Sequence, residues 1–142
     1  PIDVLIVDDE KDFSDMLAMR LVDRGHHARV AYSGEEGLAE LERQEPDVVI
    51  LDIRMPGMDG ITALKEIRSC HPVVEVILLT GHGAIDTAVD GLKSGAFDYL
   101  LKPAPFDELV EKLEAARARK AEQEERIRRA EQRALLRRSG DV

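Results

Sequence analysis

Short runs of aliphatic and β-branched residues recur along this chain of 142 residues, and four of the five runs end at a polar side chain. Runs of this length are typical of strands that are buried on both faces, as in a parallel sheet. In chain order the runs lie at residues 2–7, 28–31, 48–51, 76–79 and 99–101, and the first, third and fourth are the strongest. The pattern therefore predicts five strands.

Stretches with helical periodicity separate these runs. Phe13, Leu17 and Leu21 are spaced by four and precede Gly25, which predicts the end of a helix there. Ser33 is a predicted N-cap, with Glu36 three residues later in a capping box. Ile61, Leu64 and Ile67 mark a further helix that is predicted to end near His71, and two more helices are predicted over 84–93 and from near Phe106. A βα unit repeated five times predicts an α/β, flavodoxin-like (βα)5 fold, a doubly wound parallel sheet of strand order 2-1-3-4-5.

Polar residues follow four of the five runs. Asp8 and Asp9 follow the first, Asp52 the third, and Lys102 the fifth, while Thr80 ends the fourth. Ligands bind beyond the carboxyl ends of the strands in such a sheet, where the strand order changes direction. We therefore expect three carboxylates to converge there, beside a hydroxyl and an ammonium group.

Carboxylates that lie close together require a cation, and a site with only oxygen ligands is typical of Mg²⁺ or Mn²⁺. A carboxylate beside such a metal can attack a phosphoryl group and form an acyl phosphate. Gly57 and Gly60 suit a tight turn after Asp52. The sequence therefore predicts phosphoryl chemistry at one of these carboxylates.

Each of these residues also has a purely structural interpretation. The pair Asp8 and Asp9 could cap the first helix, Thr80 could cap the fourth, and Lys102 could be a solvated loop residue. The joint pattern favours a site, because each group stands at the end of a different predicted strand.

Four motifs resemble the receiver domain of bacterial two-component response regulators, and most closely the nitrogen-regulation class. They are Val-Asp-Asp-Glu at 7–10, Leu-Asp-Ile-Arg-Met-Pro-Gly-Met-Asp-Gly at 51–60, Leu-Thr-Gly-His at 79–82 and Tyr-Leu-Leu-Lys-Pro at 99–103. The resemblance covers residues 2 to about 120 and implies a signalling switch that accepts a phosphoryl group from a sensor histidine kinase and controls a downstream output.

The resemblance also implies a role for each acidic position. Asp52 is the phosphoacceptor. Asp9 and Asp52 bind Mg²⁺ directly, Asp8 acts mainly through water, and the backbone carbonyl of Arg54 completes the protein ligands.

The remaining implied roles concern the response to phosphorylation. Thr80 bonds the phosphoryl oxygens, and Lys102 pairs with the phosphoryl group, with a cis bond to Pro103. Tyr99 matches an aromatic switch position that turns inward as Thr80 moves.

Charge and composition limit the binding partners and the cellular compartments that we expect for this chain. The net charge is −9, and residues 1–106 carry 20 acidic against 10 basic side chains, which disfavours direct nucleic-acid binding. Cys70 is the only cysteine, which excludes a disulfide framework and makes the cytoplasm the expected compartment. No apolar run approaches the roughly 18 residues of a membrane span.

From Phe106 the chain has no glycine or proline before Gly140, which predicts one long helix over about 105–137. We divide the chain into a receiver over 1–119 and a helical linker or coiled-coil extension over 120–142. A weak apolar seam, interrupted by Lys120 and Gln123, leaves two alternatives: a dimerising coiled coil or a solvated, partly frayed helix.

Two rival functions follow from the same residues. A Mg²⁺-dependent aspartyl-phosphate hydrolase needs a second Asp two residues after the nucleophile, where this chain has Arg54. A dimeric adapter that is never phosphorylated has no need of Asp8, Asp9, Asp52 and Lys102. We therefore expect a phosphoacceptor with its own autophosphorylation and autophosphatase chemistry rather than an enzyme, its output lying in a partner or in another domain.

Overall fold

The computed structural model describes residues 1–81 and 84–140, so His82 of the third motif lies outside the described residues. Strands and helices alternate along these residues, as predicted. Their bounds are β1 Asp3–Val7, α1 Lys11–Asp23, β2 His27–Ala31, α2 Gly34–Arg43, β3 Val48–Leu51, α3 Gly60–Cys70, β4 Glu75–Thr80, α4 Ile85–Lys93, β5 Asp98–Leu101 and α5 Phe106–Gly140.

The five strands form one parallel sheet in the order β2-β1-β3-β4-β5, which confirms the predicted topology. Strands β1 and β3 are neighbours at the centre, so the change in direction of strand order falls between them. Strands β2 and β5 are the two edges. The carboxyl ends of all five strands therefore lie along one edge of the sheet.

The side chains of each central strand alternate between two hydrophobic layers. Leu5 and Val7 of β1 pack with α2, α3 and α4, whereas Val4 and Ile6 pack with α1 and α5. All four side chains are buried. Because both faces are covered, the strands read as continuous apolar runs rather than as alternating ones.

Side-chain caps begin two of the helices. The Ser33 hydroxyl accepts the Glu36 N–H at 3.1 Å, and the Glu36 carboxylate accepts the N–H of Tyr32 at 2.9 Å. The carboxylate therefore bonds one residue earlier than in the predicted capping box. At α3, the Asp59 carboxylate accepts the Ile61 N–H, which fixes the end of the loop that follows β3.

Helix α5 is 35 residues long, and its buried side chains end at Ala116. Two ion pairs hold its middle against the end of the sheet opposite the strands' carboxyl ends. Arg119 lies 3.5 Å from Glu75 and Lys120 lies 3.2 Å from Asp47. No helix among the described residues is long and apolar enough to cross a membrane.

Candidate functional site

The register of the central strands brings the predicted site together. Val7 pairs with Leu51, so Asp8 and Asp52 are the first residues beyond the same point of β1 and β3. The Asp52 N–H donates to the Val7 carbonyl at 3.0 Å, and the Asp8 N–H donates to the Ala31 carbonyl at 3.0 Å. Backbone hydrogen bonds on both strands therefore hold the two carboxylates side by side.

Three carboxylates share this end of the sheet. Oxygens of Asp8, Glu10 and Asp52 all lie within 4.8 Å of one another. Asp8 and Asp52 are 2% and 5% exposed, so their charges are largely removed from water. Asp9 is half-buried and is not a member of this group among the described residues, and its direct binding of a metal stays a prediction.

Lys102 reaches these carboxylates from the edge strand β5. Its Nζ lies 2.7 Å from Asp8 Oδ2, 3.1 Å from Glu10 Oε1 and 3.5 Å from Asp52 Oδ2. Burial disfavours the charged ammonium, but the hydrogen bond to Asp8 and the charges of Asp52 and Asp8 outweigh this and raise the pKa of Lys102. The bond from Lys102 to Pro103 is cis, which confirms that prediction.

The same surroundings alter the ionisation of Asp52. Burial and the neighbouring charge of Asp8 raise the pKa of Asp52 to about 6, against the opposing effect of Lys102 and of the Arg54 N–H. That N–H donates to Asp52 Oδ1 at 3.1 Å. A pKa below 7 leaves the carboxylate mostly ionised near neutral pH, as a nucleophile requires.

Thr80 contributes a hydroxyl group that no described residue satisfies. Its side chain is fully buried, and its Oγ1 has no hydrogen-bond partner in the structure. Leaving a buried hydroxyl unpaired costs about 1–3 kcal/mol. This unpaired hydroxyl stands at the carboxyl end of β4, on the same edge of the sheet as the carboxylate group, and can still accept or donate a hydrogen bond.

The loop after Asp52 is tight enough to require glycine. Gly57 has φ +83°, and the Gly60 N–H donates to the Ile53 carbonyl at 3.1 Å. A Cβ on Gly60 would lie 2.5 Å from the Ile53 Cα. The start of α3 therefore packs directly against the residue that follows the phosphoacceptor candidate.

Tyr99 lies on β5, three residues before Lys102. Its side chain is half-buried and packs against the hydrophobic layer of α2, α3 and α4. It also lines an open groove of about 440 Å³ between β5 and the start of α5, together with Ala104 and Lys112. The inward turn of Tyr99 stays a prediction.

The fold and this arrangement of carboxylates, lysine and threonine define a signalling class. The family model of the response regulator receiver domain matches residues 4–114. The chain belongs to this family and is a receiver domain of a two-component response regulator.

Its relatives are regulators of the nitrogen-regulation class. The chain is 43% identical over 117 residues to the transcriptional regulatory protein ZraR of Salmonella typhimurium, and 42% identical over 122 residues to the DNA-binding transcriptional regulator NtrC of that species. These matches cover 82% and 86% of this chain but 26% of each relative. The chain therefore spans about a quarter of their length.

A solved structure gives the same result for the fold. The receiver domain of NtrX from Brucella abortus superposes with a TM-score of 0.78 at 40% sequence identity. The match covers 82% of this chain and 98% of that domain.

Two residues near the site were not predicted to belong to it. Glu10 was noted only as part of a motif, although its carboxylate contacts Lys102. Phe13 contributes to the sequence prediction only through the helical spacing of the first helix, although its ring centre lies 4.4 Å from Lys102 Nζ. Glu10 follows the Asp pair directly, which is a weak signal, whereas the sequence holds no sign of the Phe13 contact.

Proposed function

We propose that Asp52 is the phosphoacceptor of this receiver domain. The observation that supports this proposal is the set of groups around Asp52. Its carboxylate lies beside Asp8, and its Oδ2 lies 3.5 Å from Lys102 Nζ. The unpaired Thr80 hydroxyl stands at the end of the neighbouring strand β4. These are the groups that a phosphoryl transfer needs: an ionised nucleophile, positive charge and a hydrogen-bond donor.

In the proposed step, an Asp52 carboxylate oxygen attacks the phosphorus of a phosphohistidine on a sensor histidine kinase. The P–N bond breaks, and the nitrogen keeps the electron pair and takes up a proton. Lys102 stabilises the charge on the phosphoryl oxygens, and the Thr80 hydroxyl donates a hydrogen bond to one of them. Attack by water on phosphorus later releases phosphate and restores Asp52.

The acidic group supports a divalent cation of the Mg²⁺ type, with Mn²⁺ as the alternative. All of its side chains offer oxygen, and three carboxylates face one ammonium, so negative charge is in excess. When bound, Mg²⁺ supplies positive charge to the phosphoryl oxygens. We propose Asp9 and Asp52 as direct ligands with the Arg54 carbonyl, and Asp8 as a ligand through water.

We propose a switch with autophosphorylation and autophosphatase activity on Asp52, and not a hydrolase of external substrates. The supporting observation is that Arg54 stands where such a hydrolase needs its second carboxylate.

Phosphorylation by phosphoramidate tests the nucleophile. In the presence of Mg²⁺ we expect one phosphoryl adduct on the wild-type chain and none on Asp52→Asn, which keeps the shape but removes the attacking oxygen. Asp59→Asn is the matched control, because it neutralises an exposed carboxylate of the following loop that caps α3. Intact-mass measurement of a full adduct on Asp52→Asn would overturn the assignment. A wild-type chain that takes up no phosphoryl group would favour the adapter function instead.

Calorimetric titration with Mg²⁺ tests which acidic residues bind the metal. We expect Asp9→Asn to lower the affinity at least about tenfold, because even the loss of an outer-shell partner of a metal site costs about this much. Asp12→Asn is the control, since it removes the same charge from the exposed first turn of α1. Equal affinities of these two variants would refute the role of Asp9. A loss of the same size in Glu10→Gln would identify Glu10 as a ligand.

We propose that residues 1–119 form the switch and that 120–142 form a helical extension through which two copies associate. Exposed Ile127, Leu135 and Leu136 on the extension support this proposal. DNA binding and transcriptional regulation belong to the relatives by name, and we propose that this chain supplies the switch of such a regulator. The net charge of −10 over residues 1–106 supports a role without direct nucleic-acid contact. We propose that the domain acts in the cytoplasm beside its kinase.

A further inference from the structure

The ammonium of Lys102 has a fourth neighbour besides the three carboxylates. Lys102 Nζ lies 4.4 Å from the centre of the Phe13 ring, which reaches it from the first half of α1. The Lys102 side chain is 15% exposed, so this contact is partly shielded from water. A cation over an aromatic face within about 6 Å is attracted by the electrons of the ring, and more strongly when water is excluded.

The ring differs from the other neighbours in one respect that matters for phosphoryl transfer. A metal ion would bind the carboxylates of Asp8, Glu10 and Asp52, and a phosphoryl group would bind the Lys102 ammonium in their place. The Phe13 ring carries no charge and forms part of the hydrophobic layer of α1 and α5. It therefore stays in place when the bonds of Lys102 to the carboxylates are exchanged.

We propose that Phe13 is a positioning residue for the phosphoryl transfer, holding the Lys102 ammonium where it meets the phosphoryl oxygens. The inference rests on the proposed function, in which Lys102 stabilises the phosphoryl group on Asp52. Phe13 itself touches neither the phosphoryl group nor Asp52 in this assignment, and it acts only through Lys102.

A packing role for Phe13 predicts different behaviour from a positioning role. Phe13→Leu keeps an apolar side chain in the hydrophobic layer and removes the aromatic face, whereas Phe13→Tyr and Phe13→Trp keep the face. Phe97→Leu is the matched control. Phe97 is also half-buried in the same layer with a cation near its ring, but that cation is Arg119, at 5.9 Å and far from the site.

The first measurement needs no phosphoryl donor. An aromatic ring over the lysine shifts the NMR signals of the Lys102 Cε protons upfield. We expect this shift in the wild-type chain, in Phe13→Tyr and in Phe97→Leu, and its loss in Phe13→Leu. Identical Lys102 signals in Phe13→Leu and the wild-type chain would show that no such contact exists and would overturn the proposal.

The second measurement is the rate of phosphorylation by phosphoramidate, a donor too small to dock on α1. We expect Phe13→Leu to slow the reaction roughly threefold to tenfold, the range that one partly shielded cation–aromatic contact provides. Phe13→Tyr or Phe13→Trp should restore the rate. In a Lys102→Met background, Phe13→Leu should have no further effect, because the group that it positions is gone.

The outcomes separate this inference from the proposed function. If the wild-type chain takes up no phosphoryl group, the proposed function fails, and the NMR shift alone decides whether the contact exists. If the wild-type chain is phosphorylated and Phe13→Leu reacts at the same rate, only the role of Phe13 fails. If Phe13→Leu slows the reaction equally with Lys102 present and in the Lys102→Met background, the effect is one of packing, and the proposal is overturned. An equal loss of rate in Phe97→Leu would overturn it for the same reason.

Discussion

The buried hydroxyl of Thr80 shows how a single residue sets stability against function. Most buried polar groups in proteins are hydrogen-bonded, and this one has no partner among the described residues. The domain therefore carries an unfavourable free energy, which we expect a phosphoryl oxygen on Asp52 to relieve. We expect this group to favour the phosphorylated state without any contact to a partner protein.

Replacement of Thr80 by valine should separate these two effects. Thr80→Val keeps the shape and removes the unpaired hydroxyl, so we expect the free energy of unfolding to rise by about 1 kcal/mol. The same variant should lose the conformational response to beryllofluoride, a mimic of the phosphoryl group. Urea unfolding measures the first effect, and Thr62→Val on the exposed face of α3 is the control, with no gain expected. A less stable Thr80→Val variant would contradict this account of the hydroxyl.

At the scale of the elements, the loop between β3 and α3 couples the fold to the site. Asp52 follows β3 directly, and the Arg54 N–H donates to its carboxylate. The N–H of Gly60, at the start of α3, donates to the Ile53 carbonyl. The position of α3 and the position of Asp52 are therefore linked through a short stretch of backbone.

Gly60→Ala should disturb this loop. The added Cβ would meet the backbone of Ile53 at 2.5 Å, so either the loop or the helix must move. We expect a loss of about 1–3 kcal/mol in the free energy of unfolding, as overpacking produces, together with slower phosphorylation of Asp52. Gly140→Ala is the control, because a Cβ there meets nothing within 4 Å. Unchanged stability and rate in Gly60→Ala would show that the loop adjusts freely.

At the scale of the whole molecule, α5 has two parts with different environments. Residues up to Ala116 contribute buried side chains, and the ion pairs of Arg119 and Lys120 hold the helix to the sheet. Beyond them, Ile127 is 47% exposed, and Leu135 and Leu136 are 59% and 71% exposed. Most of the stability of a helix in a protein comes from packing of its apolar face, so a second helix against these apolar side chains would stabilise this part of α5.

Association should therefore depend on the extension. We expect the full chain to dimerise with micromolar or weaker affinity and a version ending at Ala121 to be monomeric. This version keeps Lys120 and its ion pair with Asp47. Because α5 packs on the sheet that carries the site, beryllofluoride should change the affinity of the full chain. Analytical ultracentrifugation of both versions, each with and without beryllofluoride, measures this. One common association state in all four samples would refute a dimer built by the extension.

The elements and most of the site could be predicted because their signals are local. A buried strand such as β3 is an apolar run, and Asp52 follows it directly. Parallel order then places every strand end at the same edge, so Asp8, Asp52, Thr80 and Lys102 could be grouped without coordinates. The apolar runs of the edge strands β2 and β5 are weaker, but they alternate with predicted helices. This alternation was enough to identify them as strands.

The sequence by itself determined the succession of strands and helices along the chain and the identity of the groups at the strand ends, since both depend on short-range patterns. Only the tertiary structure decided which side chains meet there. Lys102 reaches Glu10 and Phe13 across some 90 residues of chain. The Thr80 hydroxyl has no partner among the described residues, which also follows from tertiary packing. Such contacts depend on side-chain conformations and on how α1 packs against β1 and β2, and no local pattern in a chain encodes the distance between two elements.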